Sequence, residues 1–372
     1  MIFIGNLTTR ASGYAQAALN HLGSLVATGY RDIVFAPLQH GPIPWQTFPA
    51  EFDALRALPG GADRGLALLH DTIDQLACVP TQPGTRYLAM TALDADRCPA
   101  WCGRGVSLRF ERLIVPSEHS AAAARRGRVE IPIHVVPHCA HPRWWEQPLP
   151  PVEKSPAQFL FYYIGSWTPR KNPEAIVRAF CAAFPEPGAS YAGLIPRLYL
   201  KVTGPASQIE VVREVAREAS AVALQRELPE GWTRPDVIAA AGHLAEDDLR
   251  RIHAFGDCYV SAHRGEAFGQ AILEAALLGR PVIATDWSGP VEYLNAARGD
   301  LLVGCDLVPV RGMESYVQYG GGLQWAEPRQ EALVAALQTM LREPRSGAVA
   351  ELRSRYCWEA QGPAFRAALE AR

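Results

Sequence analysis

The chain has 372 residues, 36 Lys and Arg against 38 Asp and Glu, a formal charge of −2 and a 48% hydrophobic fraction. That length and apolar content suffice for two cores, and the near balance of charge excludes a global pull on nucleic acid or anionic membrane. Eight cysteines without a Cys-x2-Cys pair and ten histidines without a His-Glu-x-x-His helix argue against a zinc site and leave buried or incidental thiols as the default.

Met1 to Gly5 reads as the first strand, and Gly13-Tyr14-Ala15 opens an amphipathic helix with Ala18, Leu19, Leu22 and Leu25 inside. The intervening Leu7 to Ser12 carries Thr8, Thr9 and Ser12, hydroxyl and backbone donors where an open α/β sheet binds ligands. Ser12, Gly13 and Tyr14 are therefore expected at a ligand-binding loop. Asp32 to Ala36 is the next strand, and residues 38 to 65, rich in Pro and Gly, carry no firm assignment. Further strands are expected at Tyr87 to Thr91, Leu113 to Val115 and Ile133 to Val136. From Glu146 to Pro156 the prolines at 148, 150, 151 and 156 allow neither helix nor central strand, so this segment reads as a linker. The expected domains are 1–147 and 157–345, the second beginning at Phe159. No run approaches the roughly 18 apolar residues of a membrane helix, and Met1 to Gly5 lacks a signal peptide's basic start. A cytoplasmic protein, at most peripheral to a membrane, is expected.

The segment from Cys258 to Ala284 says most about chemistry. Cys258-Tyr259-Val260 and Pro281-Val282-Ile283-Ala284 read as strands flanking a glycine-bounded loop and a helix, a parallel crossover that places the loop at the carboxyl end of a sheet. In the helix Ile272, Ala276 and Gly279 share one face, while Gln270 and Glu274 share another. A carboxylate in so apolar a helix costs too much to bury without donors, so Glu274 points into a polar cleft or meets a partner. Glu266, eight positions earlier, can turn toward the same cleft, and the N–H groups near Phe268, Gly269 and Gln270 would complement an anion. Either glutamate alone reads equally well as a surface charge; the two with Gly265, Phe268, Gly269, Gly279 and Pro281 at these intervals do not.

These residues resemble the Glu-x7-Glu region of retaining glycosyltransferases of family 4, with Ala267 where that family usually has Gly. The resemblance extends to Gly165-Ser166-Trp167-Thr168-Pro169-Arg170-Lys171-Asn172-Pro173 and its Ala179-Phe180 helix, to Arg197 through Gly204, and to Ala241-Gly242-His243-Leu244. It is weaker at Val115-Pro116-Ser117, Val136-Pro137-His138 and Trp325-Ala326-Glu327-Pro328, and loose over the first 110 residues. It implies two Rossmann-like α/β domains facing a cleft, the GT-B fold, with the last helix, about 348–372, packed back on the first domain. It implies a hexosyl transfer from a nucleoside diphosphate sugar such as a UDP-sugar to an acceptor hydroxyl, with no metal or other cofactor. Glu266 would contact the sugar and Glu274 the ribose; Lys171 would hold the diphosphate, helped by Gly165 and by Phe268 to Gln270. Gly242, His243 and Leu244 would border the base. Ser166 stands where the family often has Arg, and Arg170 is the expected substitute.

Asp94-Ala95-Asp96 ahead of Pro99 and Trp101 is similar to an element of some family members in which Asp94 would approach the sugar or acceptor. Asp-x-Asp is also the metal pair of GT-A enzymes; Lys171 and the two-domain layout favour the metal-free reading. His70 and His138 are cleft candidates whose commoner role is structural. The acceptor stays open among lipid, glycan, small molecule, protein and, as a minority case, a hydroxylated DNA base. Two rival classes are a non-catalytic GT-B subunit, for which Ser166 argues, and a dehydrogenase, against which the lack of a Gly-x-Gly-x-x-Gly after any expected strand argues.

Overall fold

In a computed structural model the described residues are 1–5, 13–37, 53–56 and 65–371. Among them, six parallel strands form the first sheet: β1 (Ile2–Gly5), β2 (Val34–Pro37), β3 (Leu66–His70), β4 (Arg86–Met90), β5 (Arg112–Val115) and β6 (Ile133–Val135), in the order β2-β1-β3-β4-β5-β6. The second sheet holds β7 (Gln158–Gly165), β8 (Ile195–Val202), β9 (Val237–Ala241), β10 (Cys258–Ser261), β11 (Val282–Thr285) and β12 (Leu301–Val303), in the order β12-β11-β10-β7-β8-β9. Its strand order reverses between β10 and β7, and the first sheet's between β1 and β3. In open α/β sheets such reversals open a crevice at the carboxyl ends of the strands.

Burial explains which segments became strands. Leu113, Ile114, Val282, Ile283 and Ala284 are fully buried, as expected where helices cover both faces of a parallel sheet. The first helix, Gly13–Ala27, seats Ala18, Leu19, Leu22 and Leu25 in the core as its periodicity required. Strand limits shift by one or two residues, as where Val34–Pro37 replaces Asp32 to Ala36, and a further strand, β3, occupies Leu66–His70, which carried no assignment. A short apolar run such as Leu66-Ala67-Leu68-Leu69 has no period that separates strand from helix. It became a strand by pairing with both β1 and β4.

Two further features join the halves. The helix Trp358–Glu370 lies on the helix Gly13–Ala27, where Trp358 Nε1 donates to Asn20 Oδ1 at 2.9 Å. A hairpin of β13 (Cys305–Pro309) and β14 (Gln324–Pro328) leaves the second sheet and reaches the first domain, whose Asp96 Oδ1 accepts from Gln324 N–H at 2.7 Å. Among the described residues no helix is long and apolar enough to cross a membrane.

Candidate active site

The loops after β7 and β10 flank the reversal of the second sheet, and their charged side chains meet there. Asn172, in the left-handed region at φ 52°, turns the chain into the helix Pro173–Ala183 and leaves Arg170 and Lys171 on the last turn of the loop. Gly269 opens the helix Gln270–Leu277 at φ 83°. At Gly265 a Cβ would run into the backbone carbonyl of Asp94 in the first domain, so the β10 loop passes against its neighbour only as glycine.

Glu266 ion-pairs with Lys171 and, at 3.3 Å, with Arg170 Nη1. Arg170 Nη1 also donates to the Gly265 carbonyl at 2.8 Å and to Asp94 Oδ1 at 3.3 Å. Asp94 Oδ1 further accepts from Ala267 N–H at 2.9 Å, and Asp94 Oδ2 from Tyr319 Oη at 2.9 Å. Among the described residues two carboxylates and two cations thus meet in a cluster that spans both domains. Burial alone would raise the Glu266 pKa, but Lys171 and Arg170 outweigh it and bring it down to about 2. Burial, with Arg170 beside it, pulls the Lys171 pKa down against the opposing pull of Glu266. Glu266 is anionic throughout the neutral range.

A cavity of about 790 Å³ opens between the domains over this cluster. Of the residues expected at a site, it is lined by Glu266, Lys171, Asp94, Glu274, Phe268, Gly269, Gln270, Gly165, Ser166, Arg170, His243, Leu244, Gly13 and Tyr14. Gly242 does not line it, although at φ 105° it turns β9 into the His243 loop. Ser12, like Thr8 and Thr9, falls outside the described residues. Gln270 Nε2 donates to Glu274 Oε1 at 3.2 Å, the one-turn contact that their shared helix face anticipated. The Phe268 side chain is core, with its ring against His138, Tyr293 and Tyr356. Only its backbone can meet a ligand. The first N–H groups of the helix Gln270–Leu277 have no acceptor within the helix and face the cavity.

Asp94 and Asp96 do not converge. Asp94 serves Arg170, Ala267 and Tyr319, whereas Asp96 binds Gln324 N–H and pairs with Arg97 at 2.9 Å. His70 and His138 do reach the cavity wall; burial lowers their pKa values to about 4 and about 3, so both are neutral. Sequence reading missed Lys201, Thr203, Gln16 and Trp144, all on the cavity wall, and the Tyr319 contact. For Lys201 a signal existed: a lysine between Leu200 and Val202 breaks the apolar run that begins at Leu198. Tyr319 gave none, because its partner lies 225 positions away.

Residues 159–309 match the family model of Glycosyl transferases group 1. A search of curated proteins gives no significant match. Solved structures similar to the whole chain include HepE of Anabaena in complex with UDP and glucose, at 13% identity and a TM-score of 0.68, covering 100% of this chain and 99% of that one. Trehalose-6-phosphate synthase OtsA is 12% identical with a TM-score of 0.63, at 100% and 99% coverage. Sucrose-phosphate synthase from Thermosynechococcus elongatus is 15% identical with a TM-score of 0.61, at 100% and 94% coverage. The fold is accordingly GT-B: two Rossmann-like parallel-sheet domains facing a cleft.

Proposed function

We propose that the chain is a retaining, family-4-type glycosyltransferase that moves a sugar from a nucleoside diphosphate sugar, a UDP-sugar first among them, to an acceptor hydroxyl in the cytoplasm. The observation that carries this reading is the meeting of Lys171, Arg170 and the N-terminus of the helix Gln270–Leu277 with Glu266 in one interdomain cavity. Two cations and a helix N-terminus suit a diphosphate, and they stabilise it most as negative charge grows on the departing oxygen. The match of residues 159–309 to Glycosyl transferases group 1 and the UDP complex of HepE support the same reading.

In the proposed reaction the acceptor oxygen bonds to the anomeric carbon as the bond from that carbon to the diphosphate breaks. The acceptor proton passes to the leaving phosphate oxygen on the same face. Glu266 contacts the sugar near the reacting centre, Glu274 takes the ribose hydroxyls, and Lys171 and Arg170 substitute for a metal ion. Asp94 orders the β10 loop through Ala267 N–H while facing the sugar.

The test is a panel of UDP-, GDP- and ADP-sugars, scored by thermal shift and slow donor hydrolysis, with and without EDTA. At least one donor should raise the melting temperature and be hydrolysed, EDTA should leave most of that activity, and NMR of fresh product should show a retained anomeric configuration. No response to any donor would end the glycosyltransferase reading, and inversion would end the family-4 one.

A further inference from the structure

Lys201 is buried to within 4% of complete and lines the same cavity, yet it takes no part in the cluster around Glu266. Along β8 the side chains alternate: Leu198, Leu200 and Val202 enter the core, and Tyr199, Lys201 and Thr203 take the opposite side. Its ammonium donates to Thr203 Oγ1 at 3.0 Å. Burial lowers its pKa, which means the fold supplies little to offset the desolvation of the charge. A desolvated ammonium with three donors and, among the described residues, one neutral hydroxyl partner is poised for an acceptor from outside the protein.

Sheet order says where along a bound molecule that acceptor would lie. The strand ends bordering the cavity run β10, β7, β8, β9. The Glu266 loop follows β10, the Arg170-Lys171 loop follows β7, Lys201 and Thr203 close β8, and the His243-Leu244 loop follows β9. Three strand spacings of about 4.8 Å separate the first from the last, roughly 14 Å in all. A nucleoside diphosphate with its charge at β10 and β7 therefore lays its base over β8 and β9. Register places Lys201 between Ile164 of β7 and Ala240 of β9, so no other side chain on those strands at that level offers a charge or hydrogen bond.

We propose that Lys201, oriented by Thr203, is a specificity residue that selects a base with a ring carbonyl, uracil or guanine, over adenine. An ammonium donates and cannot accept. It pairs with a carbonyl oxygen and is opposed by adenine's exocyclic amino group, which presents N–H donors at the corresponding edge. This inference rests on the nucleotide-sugar reading.

The experiment is calorimetric titration of UDP, GDP and ADP into the full chain and into Lys201→Met and Thr203→Val. Lys201→Met keeps the length of the apolar stem and removes the charge. It should weaken UDP and GDP by about 10- to 100-fold, the range for a lost charged hydrogen bond, and change ADP by less than about 3-fold. Thr203→Val should act in the same direction with a smaller loss, and it carries the test if the methionine variant does not fold. Equal losses for all three nucleotides, or none, would overturn the assignment of Lys201 while leaving the transferase reading in place. Failure of the unaltered protein to bind any of the three would overturn both.

Discussion

At the scale of single residues, the central relation is that Glu266 occupies the cations a diphosphate would use. Lys171 pairs with Glu266, and Arg170 bridges Glu266, Asp94 and the Gly265 carbonyl. A diphosphate entering here would exchange one anion for another, so much of the attraction it gains is already present in the cluster. In the proposed reaction the gain in the transition state is different, because charge on the leaving oxygen would rise there and Lys171 would gain most at that point. Lys171→Ala should therefore lower kcat by about 100-fold or more while weakening donor binding by about 10-fold or less. Steady-state kinetics with a titrated donor separates the two; equal losses would make Lys171 a ground-state clamp.

At the scale of elements, the hairpin β13–β14 acts as a strut between the domains. Its own sheet has two strands, too few for independent stability, and it is held by Trp325, Met313 and Tyr319 packing beneath it. From it Tyr319 Oη reaches Asp94 Oδ2, and Gln324 bonds Asp96 through both its N–H and its carbonyl, the latter accepting from Asp96 N–H at 2.9 Å. Tyr319→Phe leaves the ring and deletes one hydrogen bond to a charged carboxylate. It should cost about 1 to 3 kcal/mol in whatever depends on the domains meeting at Asp94. The expected readout is a raised KM for donor with an unfolding midpoint close to that of the unaltered protein. A fall in stability with KM unchanged would make the hairpin a folding element only.

At the scale of the molecule, acid is the clearest lever. His70, His119 and His263 have pKa values lowered to about 4, and His138 and His253 to about 3, in each case by burial first. Unfolded histidine titrates near about 6.5, so between there and these lower values the unfolded chain holds protons the folded one refuses. The neutral histidines favour the fold above about pH 6.5, and that advantage is lost as pH falls. Each extra proton costs about 1.4 kcal/mol per pH unit. Glu266 adds a second, more acidic window: with a folded pKa of about 2 against about 4.3 unfolded, its stabilising effect is complete above the latter and lost as pH falls toward 2. Urea midpoints measured from pH 7.5 to 4.5 should drop steeply below about pH 6.5. A flat profile down to pH 5 would show that the histidines are solvated in solution.

What the sequence determined by itself is local and periodic. The alternation of strand and helix, the helix face shared by Gln270 and Glu274, and the glycines that bound the β10 loop all depend on neighbours within about one helical turn or one loop, which is the range over which side-chain spacing carries information. That range made the cavity wall from Glu266 to Glu274 legible, and the resemblance to a known family added the wall from Gly165 to Lys171. Tertiary structure decided the rest. β3 became a strand only because β1 and β4 lay on either side, Lys201 became a cavity residue only because the β7 and β9 loops stood beside it, and Asp94 became an interdomain hub through Arg170, Ala267 and Tyr319. Each of these joins residues far apart in the chain. Such contacts repay the entropy of closing long loops only once the whole sheet is assembled, and no window of sequence contains that sum.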